Sequence, residues 1–308
     1  MPRQAVISGS VIDPGRASRF SDAVARPMFE AMFRGEGDSG AARALLGTLP
    51  RGARLGTLAA MLEAAQARLQ SVEVDAARPT VVVPAYGRAQ SEVAGIPLLA
   101  GLLADCGLQV VVHGATQDSG VAQVMRALGL APVQEGMQAQ LALQRGDPVF
   151  VPLERLSPAL AGLLTTAPSS ALRDAVHWVA GLLDPTTSAG ALRLLAVPAR
   201  SLHVRSPQRL LRATGAQALL VQGAVEDGVA PLRARARFEW IRAGRSEGWI
   251  DAPVSGPLDV PTLPDPQEAS ATARWVQSVL AGERPVPTPM AEQIEVILQG
   301  LGRRPASS

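Results

Sequence analysis

The stretch from Pro79 to Leu130 constrains the fold more than any other part of the chain. Its valine-rich runs at 80–83 and 109–112 are typical of strands that are buried on both faces of a parallel sheet. Between them the spacing of leucines predicts a helix over 96–105, and a second helix is predicted from an N-cap at Ser119 to Leu128. The order of strand, helix, strand and helix predicts an α/β fold.

Two loops of this unit, 84–95 and 113–119, are where an anion would bind. In an α/β unit each loop leaves the carboxyl end of a strand and enters the N-terminus of a helix. Free backbone N–H groups and the helix dipole favour negative charge at that point. Any phosphate chemistry of this chain is therefore predicted on these two loops.

The rest of the chain predicts a second, helical domain. Residues 1–20 are predicted to form a loose arm, whereas 22–71 and 155–184 carry apolar residues at helical spacing. Further strands are predicted at 148–151, 192–197 and 218–221, and further helices at 138–144, 207–213, 268–281 and 289–301. We expect a small helical bundle domain over 20–75, with 155–188 as a later helical insert, and a larger α/β domain with a mostly parallel sheet over 78–150 and 190–308.

Composition limits the chemistry further. All 29 basic residues are arginine, and the chain has neither lysine nor asparagine, so mechanisms that need either side chain are excluded. Cys106 is the only cysteine, which rules out an internal disulfide and predicts a cytoplasmic protein. No apolar run reaches membrane-spanning length, so we expect no membrane partner. The net charge of +2 identifies no partner by itself.

Several segments resemble the anthranilate phosphoribosyltransferase family. The resemblance is carried by MFEAMFRGE at 28–36, LPRGARLGTLAAMLEAAQARL at 49–69, VVHG at 111–114, VMRALG at 124–129, LRDAVHWVAGLLDP at 172–185 and TARWVQSVLAGERPVPTPMAEQI at 272–294. It implies the two-domain fold predicted above, of the nucleoside phosphorylase and phosphoribosyltransferase type. It also implies a homodimer that forms through the helical domain.

The chain departs from this family where the family binds phosphoribosyl pyrophosphate and magnesium. The family's GTGGD loop corresponds to Pro84-Ala85-Tyr86-Gly87-Arg88, and its KHGN motif corresponds to Val112-His113-Gly114-Ala115. The acidic pair for magnesium corresponds to QGAVEDGV, in which Asp227 precedes a glycine. The resemblance therefore implies a relic phosphate loop at Tyr86, Gly87, His113 and Gly114, with no catalytic residue, no metal and no other cofactor.

The first loop is similar to that of the YbiB-type branch of the family, whose members lack the catalytic motifs and are described as DNA-binding. That branch has the form P-x-Y-N-G-A-R followed by N-L-T-P-L-L. This chain keeps Pro84, Tyr86 and the run Pro97-Leu98-Leu99. The resemblance implies a non-catalytic protein that binds nucleic acid, in particular DNA.

Arginine is densest in LRARARFEWIRAGR at 232–245. Alternating arginines in an extended segment would share one face and could follow a phosphate backbone. Candidate nucleic-acid contacts are Arg233, Arg235, Arg237, Arg242 and Arg245, together with Arg88 and Arg173. The alternative is a solvated arginine surface without a partner. Phe238 and Trp240 either stack on bases or pack in the core.

Three functions remain open at this stage. The preferred hypothesis is non-catalytic DNA binding, largely without sequence specificity. A phosphoribosyl or other glycosyl transferase with an altered donor site would use Arg88, His113 and Asp227, and it would need magnesium. An anion sensor or assembly module would involve no chemistry and no nucleic acid. The apolar stripe of its first helix (Met28, Met32 and Phe33) could form a dimer interface.

Overall fold

The five predicted strands and two further strands form a seven-stranded sheet within the described part of the chain. The structure is a computed structural model, and it describes residues 22–34, 55–86, 93–116, 118–166, 170–188, 190–197, 210–211, 214–224, 227–252, 258 and 260–303. The strands are β1 (Thr80–Ala85), β2 (Gln109–Gly114), β3 (Val149–Pro152), β4 (Leu192–Val197), β5 (Ala218–Gln222), β6 (Arg237–Arg242) and β7 (Arg245–Asp251). Their order across the sheet is β3-β2-β1-β4-β5-β6-β7.

Neighbours among β1 to β5 pair in parallel, whereas β6 and β7 are antiparallel additions at one side of the sheet. The α/β fold with a mostly parallel sheet is therefore confirmed. The strands β6 and β7 go beyond the prediction. Arginine, glutamate and glycine interrupt their apolar residues, so no apolar run marks them in the sequence.

The described residues also form ten helices. They are α1 (Asp22–Phe33), α2 (Leu55–Gln66), α3 (Gly95–Asp105), α4 (Gly120–Ala127), α5 (Gly136–Arg145), α6 (Leu153–Leu156), α7 (Pro158–Thr166), α8 (Ser170–Gly181), α9 (Ala269–Leu280) and α10 (Thr288–Gly300). Ser119 caps α4, because its Oγ accepts a hydrogen bond from the Ala122 N–H. The helical pattern predicted over 155–184 is divided among three short helices. Of the helix predicted at 207–213, only 210–211 are described.

The chain forms two compact units. One contains the described residues of 1–70 together with Leu153–Leu183, and the other contains Ser71–Pro152 with the described residues of 184–308. In the helical unit α1 packs against α2, and both α2 and α7 pack against α8, around the fully buried Phe29 and Met61. In the α/β unit α3, α4, α9 and α10 cover the apolar face of the sheet formed by residues such as Val81, Val110 and Leu192. This second core positions the strand ends where the candidate site lies.

Candidate functional site

The protein's own carboxylate closes the carboxyl edge of the sheet at β1. The backbone N–H of Tyr86, the first residue after β1, donates a hydrogen bond of 2.9 Å to Oδ1 of Asp227. Asp227 lies between β5 and β6 in the chain. A backbone N–H at this edge of an α/β sheet is the kind of donor that binds a phosphate oxygen. In this chain that donor is already engaged by a negative charge.

The loop that carries Asp227 is held from two sides. Asp227 and Gly228 both have positive φ, of 65° and 72°. A Cβ on Gly228 would lie 2.4 Å from the backbone of Leu194 in β4, so the close approach requires glycine. On the other side the buried side chain of Gln293 in α10 accepts a hydrogen bond of 2.7 Å from the Ala230 N–H and donates one of 2.8 Å to the Gly228 carbonyl. The position of the Asp227 carboxylate is therefore set by packing against β4 and α10.

His113, near the end of β2, is fully buried next to Tyr86. Its Nδ1 lies 3.0 Å from the Tyr86 hydroxyl oxygen, and the two rings make an edge-to-face contact with centroids 5.3 Å apart. Burial, with a smaller contribution from the charge of Arg193, lowers the pKa of His113 to about 3. His113 is therefore neutral at neutral pH and supplies no positive charge for a phosphate.

Gly114 has a packing reason to be glycine. A Cβ at this position would lie 2.9 Å from the Ala85 carbonyl oxygen and 2.9 Å from the Phe150 ring. These atoms belong to β1 and β3, the two strands that flank β2. The glycine of the His113-Gly114 pair that resembles the family's motif is thus explained by strand packing.

The second predicted anion loop is also occupied by the chain's own groups. At the N-terminus of α4 the Ser119 Oγ accepts from the Ala122 N–H at 3.3 Å. The exposed Asp118 precedes this cap, and its main-chain carbonyl accepts from Gln123 Nε2 at 2.9 Å. A carboxylate beside a helix N-terminus interacts favourably with the helix dipole, and its negative charge repels a further anion. Among the residues of these two loops that the structure describes, the Tyr86 N–H and the N-terminus of α4 are therefore both engaged by groups of the chain itself.

Arg193 in β4 is a largely buried charged residue of the same unit. Its Nη2 lies 3.4 Å from Oδ2 of Asp184, and the side chains are 15% and 12% exposed. Oδ1 of the same carboxylate accepts from the backbone N–H and the hydroxyl of Thr186. Burial lowers the pKa of Arg193, and Asp184 opposes that shift. The negative charge of Asp184 therefore largely balances the positive charge of Arg193 within the sheet.

The donor set fits magnesium poorly. The carboxylate at the position that the resemblance assigns to the metal, Asp227, is engaged by the Tyr86 N–H. Across the described ranges, no group of three or more histidine, cysteine, aspartate or glutamate residues could hold a metal ion. Magnesium prefers several oxygen ligands in octahedral geometry, usually shared between carboxylates, water and substrate phosphates.

The arginine-rich stretch forms a turn followed by a β-hairpin. Arg233 lies in a turn before β6, where the Ala234 N–H reaches the Pro231 carbonyl. The prediction that Arg233, Arg235 and Arg237 share one face of an extended segment is therefore wrong for Arg233. Arg237 begins β6, Arg242 ends it, and Arg245 begins β7.

Three of these arginines have carboxylate partners. The pairs are Arg235 Nε with Glu292 Oε1 at 3.3 Å, Arg237 Nε with Asp251 Oδ1 at 2.7 Å, and Arg242 Nη1 with Glu247 Oε1 at 3.0 Å. Arg242 also donates a hydrogen bond of 2.9 Å to the Gly300 carbonyl and lies 4.0 Å above the Trp240 ring. Residues 227–252 contain five arginines and four carboxylates, so the formal balance of this segment is only +1.

Arg233 and Arg245 are exposed, and no carboxylate partner is found for either among the described residues. Arg245 stands directly opposite Arg242 across the hairpin. Like charges in directly opposed positions destabilise a strand pair, and an anion placed between them would relieve this repulsion. Arg233 precedes β6 and Arg245 follows it, so the two lie at opposite ends of that strand. We call Arg233, Arg237, Arg242 and Arg245 the arginine row.

The remaining candidate residues are Phe238, Trp240, Arg173, Gly87 and Arg88. Phe238 is fully buried and Trp240 is 5% exposed, so their interpretation as core residues is confirmed. Arg173 is partly buried on α8 and makes an interaction of its own. Gly87 and Arg88 lie outside the described residues.

Sequence reasoning missed three buried or largely buried polar residues of the α/β unit, of which Gln293 holds the loop of Asp227 in place. Gln293 and Glu292 are buried polar side chains in α10, and Arg193 lies within the apolar run of β4. A polar residue inside an apolar run is the signal that could have identified them, because such a residue is buried only with partners. The partners themselves come from distant parts of the chain, so the pairing is not readable from local sequence.

Within the ranges described, none of the helices combines the length and apolar character needed to span a bilayer.

Comparison with known proteins confirms the resemblance. The chain is 29% identical over 226 residues to YbiB of Escherichia coli K12, an uncharacterized protein, covering 72% of this chain and 69% of YbiB. The structure resembles anthranilate phosphoribosyltransferase from Thermus thermophilus, with a TM-score of 0.61, 20% identity and coverage of 91% and 85% of the two chains. It also resembles the Saccharomyces cerevisiae enzyme in complex with PRPP and Mg, with a TM-score of 0.62, 14% identity and coverage of 94% and 88%. No protein-family model matches the chain.

Proposed function

We propose that this protein, which has the anthranilate phosphoribosyltransferase fold and resembles YbiB in sequence, is a non-catalytic protein that binds DNA through phosphate contacts. The contacts are assigned to the arginine row. Binding through phosphates depends strongly on salt and only weakly on base sequence. A fold shared with an enzyme does not bring the enzyme's activity with it, so the support must come from the residues themselves.

The closed edge supports the proposal that this protein does not bind phosphoribosyl pyrophosphate, the donor substrate of the resembling enzymes. The Tyr86 N–H is bonded to Asp227, and His113 is neutral because its pKa is lowered to about 3. A pyrophosphate at this edge would lose one backbone donor and would meet a fixed carboxylate instead. Each charged hydrogen bond contributes about 1.5–3 kcal/mol, so losing two of them weakens binding by about two to four powers of ten.

The observation that carries the DNA contact is the opposition of Arg242 and Arg245 at the hairpin, with Arg233 at the far end of β6. Six residues of an antiparallel strand span about 20 Å. One DNA strand carries a phosphate about every 3.4 Å along the helix axis, so a run of about six nucleotides matches this length. The span from Arg233 to Arg245 therefore matches the length of a short phosphate track. Strand alternation places Arg237 and Arg242 on opposite faces of β6, so the exposed Arg237 reaches this track only around the end of the strand.

Arg237 and Arg242 can join such a track at low cost. Their partners Asp251 and Glu247 have side chains that are 80% and 47% exposed. Exposed ion pairs contribute about 0–1 kcal/mol, so a phosphate can replace either carboxylate. Arg235 is different, because its partner Glu292 has a fully buried side chain and would be left as an unpaired charge. We therefore leave Arg235 out of the proposed contact.

Fluorescence-anisotropy titration of labelled single- and double-stranded DNA, at about 50 and 200 mM salt, tests the contact. The double variant Arg233→Ala/Arg245→Ala is expected to weaken binding to every sequence. It should also reduce the slope of log K against log salt by about 1.4–1.8, since each of the two phosphate contacts contributes about 0.7–0.9. The matched control is Arg284→Ala, an exposed arginine between α9 and α10.

Oligonucleotide length gives a second readout. Strands shorter than about six nucleotides cannot reach both ends of β6 and can lose only one contact at a time, so the double variant should weaken their binding less than it weakens the binding of longer DNA. Unchanged affinity and slope in the double variant on long DNA would remove the arginine row from the proposal. No binding at the lower salt would remove DNA binding altogether.

The non-catalytic part has its own test. Isothermal calorimetry with phosphoribosyl pyrophosphate and magnesium is expected to show no binding, because the edge is closed by Asp227. Saturable donor binding would overturn this part and would restore the transferase alternative. The DNA titration would still decide the other part.

A homodimer through the helical unit and a cytoplasmic location belong to the same proposal. Met28 is buried within the unit, whereas Met32 and Phe33 keep part of their surface. That remaining surface is what a second copy would cover. Light scattering of the wild type and of Phe33→Ser is the test, and a monomeric wild type would exclude the dimer.

A further inference from the structure

A cavity of about 610 Å³ opens at the end of the sheet where β1 and β2 begin. Its wall includes Glu73, Asp75, Arg78, Gln140 and Gln144, all within the α/β unit. Sites for small ligands usually enclose about 300–1,000 Å³, so the cavity has a suitable size. It lies at the opposite ends of the strands from Tyr86 and His113, and it is therefore separate from the closed edge.

The wall of this cavity is preformed. The side chain of Gln109 is buried, accepts a hydrogen bond of 2.9 Å from the Asp75 N–H and donates to the carbonyls of Asp75 and Arg78. Arg78 Nη1 donates a hydrogen bond of 3.0 Å to the Leu143 carbonyl of α5. The segment before β1 is thus fixed both to β2 and to α5. A ligand would not have to order it.

Opposite charges line the cavity without pairing with each other. Within the described residues, no ion pair joins Arg78 to Glu73 or to Asp75, although all three side chains belong to the same wall. Oδ1 of Asp75 accepts from the Ala77 N–H, which orients its carboxylate. Arg78 is partly buried and binds only a carbonyl among its hydrogen-bond partners. The cavity therefore presents a positive and a negative group at separate points.

We propose that this cavity binds a small zwitterion, either a free α-amino acid or a dipeptide. The ligand's carboxylate would bind the Arg78 guanidinium, and its ammonium group would bind the carboxylates of Glu73 and Asp75. A purely cationic or purely anionic ligand would satisfy one charge and leave the other unmatched. The amides of Gln140 and Gln144 both donate and accept, so they suit the polar remainder of the ligand.

Thermal-shift and calorimetric titration of the full chain with the standard amino acids, and separately with simple dipeptides, tests this site and distinguishes its two sources. At least one compound is expected to bind, and its N-acetyl and carboxamide derivatives should bind about tenfold more weakly or worse. Glu73→Gln should reduce affinity by about tenfold without unfolding, because Glu73 is exposed. Arg78→Gln should abolish binding.

Glu283→Gln is the matched control, an exposed glutamate outside the cavity, and it should bind like the wild type. If no amino acid and no dipeptide binds, the proposal is overturned. It is equally overturned if a ligand binds Glu73→Gln and Arg78→Gln as tightly as the wild type, or if both blocked derivatives bind as well as their parent. The result is independent of DNA binding, since the arginine row does not line this cavity.

Discussion

Replacing Gly228 with alanine tests whether the closed edge depends on one close contact. Gly228 has a φ of 72°, and an added Cβ would lie 2.4 Å from the backbone C of Leu194 and N of Leu195. An ordinary Cβ contact is 3.4–4 Å, so the loop and β4 would have to separate by about 1 Å. The groups that meet this Cβ are backbone atoms of a central strand, which have little freedom to move.

The cost can be estimated from the bonds that this movement disturbs. Alanine in the left-handed region costs about 1–2 kcal/mol, partly offset by about 0.4–1 kcal/mol from the reduced freedom of the unfolded chain. Separation of the loop from β4 would also break the hydrogen bond from the Tyr86 N–H to Asp227, which contributes about 1.5–3 kcal/mol. The two hydrogen bonds of Gln293 contribute about 1 kcal/mol each and would weaken. We expect a total loss of about 2–6 kcal/mol.

Comparing the urea denaturation of Gly228→Ala with that of Gly282→Ala isolates the effect of the close contact between Gly228 and β4. Gly282 lies in the same unit with a φ of 75°, and a Cβ added there would meet nothing within 4 Å. It therefore carries the backbone strain alone, with an expected loss of about 1 kcal/mol or less. Amide exchange at Tyr86 should also accelerate only in Gly228→Ala. Equal losses in the two variants would show that the edge is not held by this contact.

Four further substitutions test packing and burial, three of them in the α/β unit and one, Gly162→Ala, in α7 of the helical unit. Tyr86→Phe should lower the free energy of unfolding by about 1–3 kcal/mol, because the buried Nδ1 of His113 loses its partner; no loss would refute that bond. Gly300→Ala should destabilise, since its Cβ would lie 2.0 Å from the Trp240 ring, whereas Gly162→Ala, with open space around it, should stabilise by up to about 1 kcal/mol. The same sign for both would contradict the packing. The pKa of His113 is about 3 in the folded protein and ordinarily 6.5. Its contribution to the free energy of unfolding is therefore fully present above pH 6.5. As the pH falls from 6.5 towards 3, that contribution is lost by up to about 1.4 kcal/mol per pH unit. Urea titrations between about pH 7.5 and 5 should show a shallower pH dependence in His113→Gln, and identical profiles would exclude buried neutral histidine as the cause.

The parallel part of the fold could be predicted because local pattern and tertiary role agree there. Strands such as β1 and β2 are buried along their whole length and each contains a run of three valines. Ser119 and Gly129 mark the ends of α4 by their own backbone chemistry. The β6–β7 hairpin could not be predicted in this way. Residues 238–241 of β6 are all buried, but Glu239 interrupts their apolar pattern, and the arginines at the two ends of the strand pair with carboxylates of β7.

The site could be predicted only as far as its location. The order of strands and helices places the loops after β1 and β2 at one edge, which is a property of topology. Whether that edge is open depends on Asp227, which is 141 residues from Tyr86 in the chain, and on Gln293, a further 65 residues beyond Gly228. Pairings over such separations are set by tertiary packing, so a motif comparison can report a missing residue but not the group that replaces it.

The pairing in the hairpin also limits how strongly DNA binding can depend on salt. Arg235 is tied to the buried Glu292, which leaves the four members of the arginine row as possible phosphate contacts. Four contacts give a slope of log K against log salt of about −3 for a single strand and about −3.6 for a duplex. A slope near these values would be accounted for by the hairpin alone. A much steeper slope would require further cations outside it, and Arg88, which the sequence places in the first anion loop, is then the residue to replace.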